Sequence, residues 1–166
     1  PEDALNAKMI DALEQAAGRV ATVAGSVPHN RPGLRPWIEA ARMHQWLKNL
    51  LVFLPLVASH RFLEPAAIRD ASLAFLAFGL CASGVYLLND LLDLPSDREH
   101  PRKRNRPFAS ARLPLAQGML VAPLLTLAGF AVAWQVNPRF TLLLGGYYLT
   151  TLAYSLRLKQ VVMLDV

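Results

Sequence analysis

Asn89, Asp90, Asp93 and Asp97 stand at the end of a long apolar run and lead directly into Arg98, Glu99 and His100. The i, i+4, i+8 spacing of Asn89, Asp93 and Asp97 stacks three oxygen-bearing side chains on one helical face. Pro95 disfavours helix at Leu94, so the alternative puts Asp97 on a turn beyond the helix end. Stacked carboxylates repel, and a carboxylate at bilayer depth costs roughly 2.5–3.5 kcal/mol even on the lenient insertion scale. A divalent cation answers both problems, because magnesium is held by one or two carboxylates together with phosphate oxygens. Asn89, Asp90, Asp93 and Asp97 are therefore the candidate Mg2+ ligands, with Asp93 and Asp97 the candidate catalytic pair. Lys103 and Arg106 follow closely, and Lys48 and Asn49 stand at the start of an earlier apolar segment. These four are the candidate diphosphate contacts. Cleaving a diphosphate ester puts negative charge on the leaving group as the carbon becomes cationic. A carboxylate-held metal and a basic rim suit that charge distribution.

Each assignment has a plainer rival. The acids could simply mark the water boundary and pair with neighbouring arginines. Three aspartates and an asparagine beside a basic loop argue for function instead. Lys48 reads equally well as a snorkelling anchor. Arg42 and His44 read as surface residues, His100 as a loop residue, and Tyr86, Tyr147 and Tyr154 as helix packing. Cys81 is the single cysteine and lies in an apolar run, which leaves no disulfide framework and no thiolate metal site.

The elements that must carry these residues are membrane helices. The chain is 54% hydrophobic and 17% charged, where a soluble domain carries about 25% charged residues. Its net charge of +5 comes from clusters between apolar runs, not from one polar face. That pattern fits loops at an anionic membrane surface and argues against nucleic-acid binding. A crossing helix needs about 20 apolar residues. Ala71–Leu88, Leu113–Val136 and Phe140–Leu156 read as spans. Leu47–Ser59 is a short first one, with Pro55 a possible kink and a re-entrant helix the alternative. The basic residues near Arg42 and Lys48, from Arg98 to Arg112, and at Arg157 and Lys159 then all fall on one side. The positive-inside rule makes that side cytoplasmic. Trp46 and Trp134 lie near span ends, where interfacial aromatics belong.

Ahead of the spans, Leu5, Met9, Leu13, Ala17 and Val20 recur at helical spacing, which predicts an amphipathic helix. Gly25, Pro28, Pro32, Gly33 and Pro36 then predict a linker. We expect residues 1–36 to be a separate segment, with the tail of an upstream soluble domain as one reading of it, and 37–166 to be the membrane domain. Pro1 and Val166 both read as cuts in a longer chain, and no signal peptide is visible.

The stretch Asn89-Asp90-Leu91-Leu92-Asp93-Leu94-Pro95-Ser96-Asp97 resembles the first aspartate-rich motif of the UbiA prenyltransferase superfamily. His100-Pro101-x-Lys103-x-x-Arg106-Pro107 is similar to its usual continuation. Gln45-Trp46-x-Lys48-Asn49 resembles the opening of the first helix in the branch that includes polyprenyl-phosphate phosphoribosyltransferases. The likeness runs from Arg35 to Val166. It implies an all-α bundle of about nine transmembrane helices, of which this chain holds the first four. It also implies two aspartate motifs that hold Mg2+ and a diphosphate, with Asp165 opening the segment toward the second. Ala111 departs from the glycine common at its position. The implied activity is an intramembrane transferase of a bacterial inner membrane, with its motif on the cytoplasmic side. Its substrates would be a diphosphate-bearing small molecule and a polyprenyl lipid. Phosphoribosyl transfer to polyprenyl phosphate is favoured over prenyl transfer to an aromatic acceptor. A non-catalytic channel or assembly subunit is the reading from another class.

Overall fold

A computed structural model describes residues 8–11 and 33–158 of the chain. The chain divides into two compact units, Pro1–Arg31 and Pro32–Val166. In the first unit residues 8–11 are helical and exposed. The rest of the expected amphipathic helix, the linker up to residue 32, Lys159 and Asp165 lie outside the described residues.

The second unit is helical, with no strand among its described residues. In order it holds α1 (Leu34–Ala40), a 3-10 segment (Met43–Phe53), α2 (Leu54–Ala58), α3 (Pro65–Leu92) and α4 (Leu94–Glu99). A 3-10 turn (Lys103–Asn105), α5 (Leu115–Val136), α6 (Pro138–Ala153) and a π-helical turn (Tyr154–Leu158) follow. The linker was expected to run through Pro36, yet α1 begins at Leu34. A proline in the first helical turn loses nothing, because its N–H would have no intrahelical partner.

Among the described residues two helices, α3 and α5, are long and apolar enough to cross a membrane. Their 28 and 22 residues span about 42 and 33 Å at 1.5 Å per residue, against a hydrocarbon core of about 30 Å. The 16-residue α6 is shorter, and the π turn extends it. The expected first span is built as 11 residues of 3-10 helix followed by the five of α2. At about 2.0 Å per residue the 3-10 part reaches further than an α-helix of equal length, for a combined contour of roughly 30 Å. Pro55 sits in the first turn of α2, where it is harmless.

The helices meet through small residues. Ala77, Cys81 and Gly84 of α3 face Ala122, Thr126, Gly129 and Ala133 of α5 in antiparallel order. A Cβ on Gly129 would lie 2.5 Å from Cys81 Sγ and 3.0 Å from the Ala77 carbonyl. One on Gly84 would lie 2.4 Å from Thr126 Oγ1. Lipid tails supply no hydrophobic drive between helices, so close backbone approach and packing must bind them. On the other side α6 packs through Phe140 and Tyr147 against Phe78, and through Tyr148 against Phe130. Tyr147 is thus a packing residue, as its sequence context suggested.

The first segment docks on α3 by a similar device. The indole of Trp46 lies over Gly79, where any Cβ would come within 2.6 Å of it. Its Nε1 donates to Ser83 Oγ at 3.1 Å, and Ser83 donates in turn to the Ala41 carbonyl at 2.8 Å. Trp46 is therefore a helix-docking residue, where the sequence had suggested an interfacial anchor; Gly79 leaves room for the ring. Trp134 stays exposed near the end of α5.

Candidate functional site

The apolar character of α3 stops at Asn89, and its last turn carries the acids toward the loops. Asp93 closes α3 and opens α4, with φ −84° and ψ 2°. The break follows from Pro95, which has no N–H to donate to Leu91 and sits comfortably in the first turn of a new helix. The ladder nevertheless survives at the positions that matter. Asp93 N donates to Asn89 O and Asp97 N to Asp93 O, both at 2.8 Å. The i, i+4, i+8 stack thus crosses a helix break, with Asp97 buried in α4. Both sequence readings of Asp97 hold a part of this geometry.

Asp90 and Asp97 are 3% and 1% exposed, and arginines meet them both. Arg42 Nη2 donates to Asp90 Oδ1 at 2.7 Å. Arg106 Nη1 donates to Asp97 Oδ2 at 2.7 Å and reaches Asp90 Oδ1 at 3.3 Å. Such charge-assisted bonds are what buried carboxylates require. Among the described residues Asp97 Oδ1 is buried with no hydrogen-bond partner. Asn89 and Asp93 are half-buried beside it in sequence.

Arg42 enters from the turn between α1 and the 3-10 segment, with φ 50° and ψ 44°. Its guanidinium carbon lies 4.8 Å from the centroid of the Tyr86 ring. Sequence reasoning gave Arg42 a surface role and Tyr86 a packing one. The available signal was indirect: an acid as deep as Asp90 needs a cation, and Arg42 stands on the same expected side of the membrane.

The basic loop is itself folded. His100 Nδ1 accepts from the backbone N–H groups of Arg102 and Lys103 at 3.2 and 3.3 Å, so His100 is a loop-shaping residue. Phe108 is buried, edge-on to Trp37, and lies where a Cβ on Gly118 would come within 2.5 Å of it. Arg112 grips Glu39 of α1 with two bonds of 2.9 and 2.8 Å and also donates to the Asn105 carbonyl. Those bonds to Arg112 hold the Glu39 carboxyl below the usual carboxylate range. Arg106 is thereby presented from a braced loop, and Lys103 is half-buried in the same 3-10 turn.

Lys48 and Asn49 diverge. In a 3-10 helix residues three apart share a face. Asn49 accordingly lies with Trp46 and Val52 on the half-buried face toward α3. Lys48 lies with Leu51 and Leu54 on an exposed face and lines an apolar groove there. The structure therefore brings Asp90, Asp97 and Arg106 together, adds Arg42, and directs Lys48 away from Asn49.

The acids can be tested as a Mg2+ site. Among the described residues no three His, Cys, Asp or Glu side chains are grouped as a ready-made metal cluster. Asp90 and Asp97 point at arginines instead. The hard oxygen donors and the open, buried Asp97 Oδ1 fit a magnesium ion that takes its other ligands from a phosphate and water. They do not form an all-protein cage.

Residues 50–166 match the UbiA prenyltransferase family. The chain belongs to that family. Among its relatives is a decaprenyl-phosphate phosphoribosyltransferase of Mycobacterium tuberculosis, 38% identical over 133 residues, covering 78% of this chain and 44% of that one. An uncharacterized protein of Sinorhizobium fredii, y4nM, is 37% identical over 154 residues, covering 93% of this chain and 29% of its own length. The nodulation protein NoeC of Azorhizobium caulinodans is 36% identical over 129 residues, covering 78% of this chain and 42% of its own. The chain spans less than half the length of each of these UbiA relatives. Membership, with two helices long and apolar enough to cross, makes it an integral membrane protein with the multi-span helical fold expected from the sequence.

Proposed function

We propose that this UbiA chain carries the first half of an intramembrane transferase active site that moves phosphoribose from phosphoribosyl diphosphate to a polyprenyl phosphate. The observation that carries the reading is the end of α3. Two buried carboxylates are met there by Arg42 and Arg106, and Asp97 keeps one oxygen open, beside a braced basic loop. The decaprenyl-phosphate phosphoribosyltransferase name of a 38% identical relative supports the same choice of donor and acceptor.

In the reaction an oxygen of the lipid phosphate attacks the anomeric carbon as the bond from that carbon to the diphosphate oxygen breaks. The bond electrons leave with the diphosphate. The attacking phosphate is already ionised at neutral pH, so no strong general base is needed. Lys103 and Arg106 bind the leaving group, whereas Asn49 lies beyond Trp46, which docks at Gly79, about 16 Å along α3 from Asp90 at 1.5 Å per residue. Lys48 serves at the membrane surface, where its groove of leucines meets lipid. Asn89, Asp93 and Asp97 are the residues that would hold Mg2+, which supplies charge neutralisation to a diphosphate. Asp90, engaged by two guanidiniums, stands apart from that set.

The test uses membranes containing the full-length protein, Mg2+ and labelled phosphoribosyl diphosphate. Label should pass to the lipid fraction, and Asp93→Asn should abolish the transfer while leaving membrane insertion intact. Transfer from a prenyl diphosphate to an aromatic acid, with no label in lipid, would reverse the assignment.

A further inference from the structure

Arg106 Nη1 is shared between two carboxylates, and the distances decide which one holds it: 2.7 Å to Asp97 against 3.3 Å to Asp90. Asp90 can yield because Arg42 gives it a bond of 2.7 Å to the same Oδ1. With Arg42 absent, a carboxylate 3% exposed would have Arg106 as its near cation and would draw it off Asp97. We infer that Arg42 is a positioning residue: by holding Asp90 it keeps Arg106 across Asp97, and so sets the diphosphate-binding side of the site.

The backbone agrees with that role. Arg42 occupies the left-handed region, at a cost of roughly 1–2 kcal/mol for a residue with a Cβ. Such a conformation persists only where the surroundings over-determine it. Here Arg42 N donates to Glu39 O and Gln45 N to Arg42 O, at 3.1 and 2.7 Å. The neighbouring Ala41 carbonyl is held by Ser83, and Tyr86 lies under the guanidinium. The first membrane segment is thus clamped to α3 at Gly79 and Ser83, and its hinge delivers one cation to one acid. Two arginines balance two carboxylates, and the spare oxygen of Asp97 remains for a ligand.

This inference rests on the diphosphate reading above, and the experiment separates the two. Binding of inorganic diphosphate in the presence of Mg2+ is measured by calorimetry on the purified full-length protein, alongside thermal unfolding. Arg42→Ala should weaken binding about tenfold or more, as truncating one member of a buried charge pair does. Asp90→Asn in the same protein should restore most of that loss, because the carboxylate that misdirects Arg106 has gone. Arg42→Lys, which keeps the charge and folds more readily, should lose less than Arg42→Ala. A double variant as weak as Arg42→Ala, or weaker, would mean that Arg42 touches the ligand itself and would overturn the positioning role. Arg42→Ala binding as tightly as wild type would also overturn it. A wild-type protein that binds no diphosphate defeats the functional reading, and this inference with it.

Discussion

At the residue scale, identity and spacing revealed the acids but not their partners. Three aspartates and an asparagine at helical intervals are visible in any reading of the chain. That Arg42 pairs with Asp90 depends on a contact 48 residues apart and on a left-handed turn that no local pattern announces. Ala111 is a case where sequence and backbone meet. Its φ of 57° is the conformation glycine adopts freely, and it closes the turn in which Ala111 N donates to Phe108 O at 3.2 Å. A Cβ there costs roughly 1–2 kcal/mol, partly offset by the lower entropy of alanine in the unfolded chain. Ala111→Gly should therefore raise stability by about 0.5–1 kcal/mol, and Ala111→Val, β-branched, should lower it. Thermal unfolding in detergent reads both. Equal melting of all three proteins would mean that the loop carries no strain at Ala111.

At the element scale, the run from Ala71 to Leu88 was legible as a span, but its full extent was not. The helix begins at Pro65 and ends at Leu92 because proline opens it well and Pro95 breaks it, while charged Arg69 and Asp70 are tolerated within its first turns. The first segment was harder to read, since a 3-10 helix changes the rise per residue without changing the composition. Packing between α3 and α5 was legible only as a scatter of small residues; their pairing needed the structure. It also fixes a prediction. Gly129→Ala places a Cβ against the Ala77 carbonyl and the Cys81 backbone nitrogen, at 3.0 and 3.1 Å, and helix backbone yields little. Overpacking of this kind costs about 1–3 kcal/mol. Gly146 in α6 has nothing within 4 Å of its Cβ position, so Gly146→Ala should gain up to about 1 kcal/mol from helix propensity alone. Opposite shifts in melting temperature are expected. A Gly129→Ala protein as stable as wild type would show that the helices separate freely along this seam.

At the scale of the whole molecule, the two long apolar helices divide the chain's charge between opposite ends. Asn89, α4, the basic loop and the start of α5 share one end of the antiparallel pair, since Gly118 packs near Leu91. Pro65 and Asn137 belong to the other. The first end carries Arg98, Arg102, Lys103, Arg104, Arg106 and Arg112, against Arg61, Arg69 and Arg139 at the second. Arg61 pairs there with Glu64 and Arg69 with Asp70, but it is the smaller count of basic residues that marks this end. The positive-inside rule then expects the aspartate end to face the cytoplasm. Single cysteines at Lys103 and at Asn137, tested with a membrane-impermeant thiol reagent, check this directly. Native Cys81 is buried against α5 and is replaced by alanine as a precaution. Lys103→Cys should label only when the cytoplasmic face is opened, and Asn137→Cys only from the opposite face. The two positions are separated by α5, whose 22 residues span about 33 Å and match one crossing. Labelling of both from the same face would mean that α5 does not cross. The proposed transfer would then lack the membrane that a polyprenyl acceptor requires.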